Sequence, residues 1–162
     1  MGKKLQSAFN EQIKNELYSA YLYLSMAAYC EVSNLPGFGH WMKVQEKEER
    51  AHAMKIFDFL ADRGIKVILQ AIPQPPVEFA SAQEIFEQTL KHEKKVTGLL
   101  NQLYELAKKS DDHAASIFLQ WFISEQVEEE KNATAILDTL KIIKPDSAAL
   151  IMLDRELAKR EK

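Results

Sequence analysis

One cysteine, five glycines and five prolines are spread over 162 residues. A single thiol, Cys30, can form no intrachain disulfide and no Cys-based zinc or iron–sulfur motif, and this usage fits a reducing cytoplasm. With so little glycine and proline, few loops are available and most of the chain belongs in regular elements. The formal net charge is only −3 and no basic cluster appears, so nothing points to nucleic acid. No apolar run reaches membrane-spanning length, because Glu16 and Glu31 bound the best candidate. Lys3 and Lys4 precede a polar stretch where a secretion signal needs an apolar one. Gln6 stands where N-myristoylation after Gly2 would require Ser or Thr. The expectation is a soluble cytoplasmic protein, one domain over residues 1–162, long enough for a full core.

What the chain does have is four apolar stripes at intervals of three and four, each interrupted near its middle by a carboxylate. The first runs Phe9, Ile13, Glu16, Ala20, Tyr23, Ala27, and the second Met42, Gln45, Glu49, His52, Ile56, Phe59. The third is Phe86, Leu90, Glu93, Val96, Leu100, Leu103, and the fourth Ala115, Leu119, Phe122, Gln126, Glu129, Ala133, Ile136. Stripes of this period face a core. A lone buried carboxylate is too costly to sit there without a compensating partner.

Punctuation sets the boundaries. The first helix covers about Gln6 to Val32 and stops at Ser33-Asn34-Leu35-Pro36-Gly37. The second runs from about Phe38 to Arg63 and ends at Gly64. Ile65 to Ala80 carries Pro73, Pro75 and Pro76 and is not regular helix, although Val67-Ile68-Leu69 suits an extended piece packed on a neighbour. Ser81 with Glu84 forms a capping box for a third helix reaching Lys108. After Ser110-Asp111-Asp112 a fourth continues to Lys141, and Asp146 can cap a short fifth through Lys159. Short links make the first and second, and the third and fourth, antiparallel hairpins. The sixteen or so residues from Ile65 to Ala80, at roughly 3.3 Å each, reach ~50 Å. The second helix is only about 40 Å long, so this link can return along the bundle and set the third helix beside the second, parallel to it. The expected fold is all-α: a four-helix bundle with one long crossover and a short fifth helix.

Glu16, Glu49 with His52, Glu93, and Gln126 with Glu129 fall near the centres of their helices, so they meet in one layer whichever way each helix points. Glu49 and His52, spaced Glu-x-x-His, leave one face a turn apart. Alone that spacing is weak and reads as a solvated Glu beside a core His; with Glu16, Glu93 and Glu129 at equivalent stripe positions it reads as a metal site. Four carboxylates and one imidazole suit Fe(II) or Mn(II) and suit tetrahedral zinc poorly. Four negative charges balance two divalent cations. The expected assignment gives Glu16 and His52 to one metal and Glu93 to the other, with Glu49 and Glu129 bridging or nearly so.

Asn15-Glu16-Leu17-Tyr18-Ser19-Ala20-Tyr21-Leu22-Tyr23, Glu48-Glu49-Arg50-Ala51-His52-Ala53, Lys91-His92-Glu93 and Phe122-Ile123-Ser124-Glu125-Gln126-Val127-Glu128-Glu129-Glu130 carry a closer resemblance. Over nearly its whole length the chain resembles the bacterial-type non-haem ferritins, whose di-iron relatives are the standing example of a carboxylate site inside a helical bundle. The resemblance implies a ferroxidase centre that oxidises Fe(II) with dioxygen or peroxide and passes ferric product into a hollow shell as hydrated oxide. It also implies a homo-oligomeric cage, of 24 subunits in this family. Tyr23 then lies beside the centre to supply an electron or a hydrogen bond, and Gln126 orients a ligand or the oxidant. A third iron position lies inward of the pair, at residues matching Glu48, Glu125, Glu128 and Glu129.

Departures from relatives also inform. Three residues after Glu129 stands Asn132, where related di-iron proteins have a second His, so one metal is expected to be held less firmly and to pass through. Arg50 follows Glu49 where haem-containing bacterioferritins have Met, so no haem is expected. A rubrerythrin-like iron domain would need more cysteines. A di-iron peroxidase or oxygenase that retains its metals is the alternative enzyme, and a plain helical assembly protein with neutral, hydrogen-bonded glutamates is the non-enzyme one. Glu46, Glu128 and Glu130 also read as solvated helix charges, His40, His92 and His113 as surface or interface residues, and Trp41 and Trp121 as packing groups. Tyr18, Tyr21, Leu22 and Tyr29 make the first helix apolar nearly all round, which suggests subunit contacts. The fifth helix, with Leu150, Leu153 and Leu157, is amphipathic and wants a partner.

Overall fold

A computed structural model describes residues 1–145 and 147–161. They form α1 (Lys3–Val32), α2 (Pro36–Asp62), α3 (Ala82–Lys109), α4 (His113–Ile142) and α5 (Ala148–Leu157), with no strand among the described residues. The four long helices make a bundle in which α1 packs on α2 and α3 on α4. The expected all-α class, a four-helix bundle with a long crossover and a short fifth helix, is the observed one.

Local chemistry explains the ends. Gly64 closes α2 at φ 68°, and its N–H and that of Ile65 donate to the carbonyls of Ala61 and Leu60. Ser81 Oγ accepts from Glu84 N at 3.1 Å, and the Glu84 carboxylate accepts in return from Ala80 N at 2.5 Å. Asp112 caps α4 by accepting from Ala115 N, while both its oxygens take a guanidinium N–H from Arg63 at 2.9 and 3.0 Å. That fork ties the end of α2 to the start of α4.

The start of α2 is capped from a distance. It begins at Pro36, two residues before the expected Phe38, since proline at a first helical position loses no useful N–H. Leu35 offers no side-chain cap, and Asp154 of α5 accepts from Phe38 N at 3.0 Å instead. Gly37 permits this approach: a Cβ there would stand 1.7 Å from the Asp154 carbonyl oxygen. Leu157 is buried and Leu150 and Leu153 pack on the core, so α5 finds its partner within the chain. The expected cap Asp146 lies outside the described residues; α5 follows Ser147, which makes no side-chain cap bond.

The crossover corrects one expectation. Helix α3 sits beside α1 rather than α2. The reason is the path of the 65–80 link over α1: Ile68 N–H donates to Asn10 Oδ1, Ser25 Oγ donates to the Pro76 carbonyl, and Phe79 packs edge-on against Tyr29. This link has no regular structure, and of its Val67-Ile68-Leu69 piece only Val67 packs on the core. The apolar girth of α1 is accordingly covered mostly within the chain, with Leu22 buried and Tyr18 and Tyr29 partly so. Tyr21 and Leu24 remain about half exposed.

The core is two apolar clusters separated by a polar layer. One holds Met26, Phe38, Met42, Phe86, Leu137 and Leu140; the other holds Phe9, Ile13, Ile56, Leu60, Leu100 and Leu119. On every long helix the gap between them contains one of the carboxylates singled out from sequence.

Candidate metal centre

Glu16, Glu49, His52, Glu93 and Glu129 are exposed by only 1, 2, 6, 1 and 5%, so all five belong to the dry layer. Ligand atoms of Glu16, Glu49 and His52 lie within 4.8 Å of one another, and so do those of Glu49, Glu93 and Glu129. Glu49 belongs to both groups. A third group joins His52, Glu125 and Glu129 at the same spacing.

Amides and a phenol hold these carboxylates. Gln12 Nε2 donates to Glu16 Oε1 at 2.7 Å. Gln45 Nε2 donates to Glu129 Oε2 at 2.7 Å and to Glu49 Oε1 at 3.1 Å, linking α2 to α4. Gln126 Nε2 donates to Glu93 Oε2 at 3.1 Å, and the Tyr23 hydroxyl donates to Glu93 Oε1. His52 Nδ1 stands 3.5 Å from Glu49 Oε2, and its ring is walled by Trp121 and Phe122.

Such crowding has a cost in the absence of cations. Burial, with the Glu49 charge second, raises the Glu16 carboxyl to about 8, and burial with the Glu93 charge raises Glu129 to about 7. Burial also lifts Glu49 and Glu93 above the ordinary carboxylate range, and drives the Tyr23 phenol well above its own. Glu16 Oε2 and Gln45 Oε1 are buried with no hydrogen-bond partner. Acceptors left bare among carboxyls that burial has pushed upward are the arrangement a pair of divalent cations would complete. The residues fit such a pair, and the set is oxygen-rich with a single imidazole.

A family model for the ferritin-like domain matches residues 6–143. The chain belongs to the ferritin family. It is 42% identical over 160 residues to a bacterial non-heme ferritin of Staphylococcus saprophyticus, spanning 99% of this chain and 96% of that one. The corresponding protein of Staphylococcus aureus is 38% identical over the same shares. Among solved structures, the open-pore ferritin of Archaeoglobus fulgidus superposes with a TM-score of 0.98 at 46% identity, covering 99% of each chain. A closed form of that ferritin, engineered by site-directed mutagenesis, also gives 0.98, at 47% identity.

The other expected residues of this ferritin fall into place unevenly. Tyr23 and Gln126 both meet Glu93, and Glu125 joins the third group. Glu48 and Glu128 join no ligand group among the described residues. Glu48 pairs with Arg160 at 2.5 Å, and Glu128 is exposed. Glu130 is partly covered and faces Thr97 Oγ1 at 2.6 Å rather than being freely solvated. His92, expected at the surface or an interface, lies partly covered against α1. Its Nε2 lies 2.8 Å from Ser19 Oγ, its ring contacts those of Tyr18 and Tyr23, and burial lowers its pKa to about 4. It is half-buried against α1, because α3 lies beside that helix.

Sequence reasoning gave no role to Gln12 and Gln45. A signal existed: each stands four residues before a site glutamate, the spacing at which a Gln amide reaches a carboxylate on the next turn.

Proposed function

We propose that this ferritin stores and detoxifies iron as a ferroxidase, taking Fe(II) as substrate at the paired groups and depositing ferric oxide inside a cage. The observation that carries this reading is Glu49, one carboxylate within reach of both groups. A shared ligand holds two Fe(II) close enough to give up one electron each to the same oxidant. Two Fe(II) reduce dioxygen to peroxide, which takes two protons and leaves as hydrogen peroxide; with peroxide as oxidant, the same two electrons and two protons give two waters.

The chain's own groups manage charge and orientation. Iron entering the layer displaces protons from carboxyls that burial has pushed upward, Glu16 and Glu129 foremost, and these are available to the reduced oxidant. Gln45 keeps Glu49 and Glu129 aimed together in the iron-free state, so little reorganisation accompanies loading. Tyr23 is protonated and donates to Glu93, a position from which it can supply a hydrogen bond or one electron with its proton passing to that carboxylate. Asn132, where a second imidazole would strengthen the Glu129 side, favours iron that moves on. His52, Glu125 and Glu129 offer the next stop, with Glu48 and Glu128 nearby.

The surface supports assembly. Tyr21, Leu24 and Ile72 line an open groove of about 370 Å³ with Arg50 and Glu46, a face suited to a second copy in a homo-oligomer of 24. No helix among the described residues is long and apolar enough to cross a membrane, and we place the cage in the cytoplasm. Haem has no part in this scheme.

Mixing iron-free protein with excess Fe(II) in air tests the proposal. Rapid formation of ferric oxide is expected, and Glu49→Ala slows the rapid phase by an order of magnitude or more, because one change disturbs both sites. An unchanged rate refutes the site. Turnover of an organic or peroxide substrate without mineral would point to a di-iron oxygenase or peroxidase with retained metals. Absence of stoichiometric Fe(II) uptake would leave only a helical assembly protein.

A further inference from the structure

The segment after α5 returns to the mouth of the polar layer. Arg160 Nη2 meets Glu48 Oε2 at 2.5 Å, its guanidinium stacks 4.1 Å from the Trp41 ring centre, and its Nη1 is 3.4 Å from the Trp41 carbonyl. His40 Nε2 lies 2.9 Å from the Arg160 carbonyl oxygen, which fixes the backbone as well. The pair is mostly covered, with side chains 16 and 26% exposed, so solvent screens it less than an ordinary surface pair. Glu48 lies one residue from Glu49 and one helical turn before His52, at the edge of the His52, Glu125, Glu129 group. It is the acidic side chain beside that group with a fixed cation already in hand.

We infer that Arg160 is a positioning residue for iron transfer: it holds Glu48 off the third metal position and so keeps that position weak. The inference rests on the proposed third stop for iron leaving the pair. A metal ion that recruits Glu48 there must first displace a guanidinium anchored at two other points, the Trp41 ring and the Trp41 carbonyl, on a backbone that His40 holds in place. With the pair loaded His52 belongs to the ion it shares with Glu16 and Glu49, so the third position has Glu125 and Glu129 alone and exchanges its ion readily. A strong third site would trap iron at the mouth of the layer; a weakened one lets it continue.

Zinc(II), which is redox-inert, is titrated into the assembled, metal-free protein by calorimetry, counting ions per subunit and the dissociation constant of each class. Arg160→Gln tightens the weakest class about tenfold, the scale of one charge-assisted hydrogen bond, and leaves the two stronger classes unchanged. Adding Glu48→Gln to Arg160→Gln abolishes the gain. Arg160 lies beyond the last helix, so the variant is expected to fold. If Glu48→Gln alone weakens the third class while Arg160→Gln changes nothing, the role of Arg160 is overturned and the third position stands. If no third class exists, the third position falls and the inference with it. A gain that persists with Glu48→Gln, or that spreads over all classes, indicates loosened tail packing and overturns the inference.

Discussion

The stability of the metal-free ferritin should fall as pH rises through the neutral range. In the unfolded chain Glu16 and Glu129 lose their protons near the ordinary value of 4.5, but in the folded, metal-free protein they keep them to about 8 and about 7. Below 4.5 both states are protonated and the folded chain has its full advantage from these groups. Between the two values the folded state holds protons that the unfolded state has lost, so each rise in pH favours unfolding, and the loss is complete above the folded values. Around pH 6 two such protons correspond to about 2.7 kcal/mol per pH unit. For a chain of this size that lowers the melting temperature by roughly 5–10 °C per pH unit. Glu49 and Glu93 shift in the same direction and steepen the slope. The assay is thermal unfolding at fixed subunit concentration, without metal and with saturating zinc(II), which ionises the same carboxyls in the folded state and removes the slope. A melting temperature that is flat or rising between about pH 5.5 and 7 without metal, or a slope indifferent to zinc, would refute the reasoning.

Two further substitutions probe separate parts of the account. Asn132→His adds an imidazole one turn after Glu129 and should slow dissociation of the less firmly held ion by about tenfold, the scale on which even the hydrogen-bonding partners of ligands act; unchanged dissociation in a chelator chase counts against the weak-site argument. Gly37→Ala drives a methyl into the Asp154 carbonyl and should cost about 1–3 kcal/mol while freeing α5 for cleavage near Arg155; unaltered melting and protease resistance would show that the close approach carries no weight.

Much of this was legible in the sequence because it is periodic. Stripes at three and four with a carboxylate at each midpoint required neither exact ends nor knowledge of neighbours, and the polar layer between the two apolar clusters lies where Glu16, Glu49, Glu93 and Glu129 pointed. The link length showed that α3 could run parallel to α2, yet length says nothing about which side of α1 the chain crosses; the Asn10 and Ser25 contacts decide that. The contact of His92 with Ser19 follows from the same crossing. Asp154 and Arg160 act on residues more than a hundred positions away, as cap for α2 and partner of Glu48. Neither pairing leaves a periodic trace.

Anaerobic Fe(II) loading of crystals, followed by anomalous diffraction at the iron edge, tests the central claim most directly. Two peaks are expected inside the bundle, one among Glu16, Glu49 and His52 and one among Glu49, Glu93 and Glu129, with Glu49 touching both. Iron confined to surface carboxylates, or a bundle interior with no peak, would contradict it.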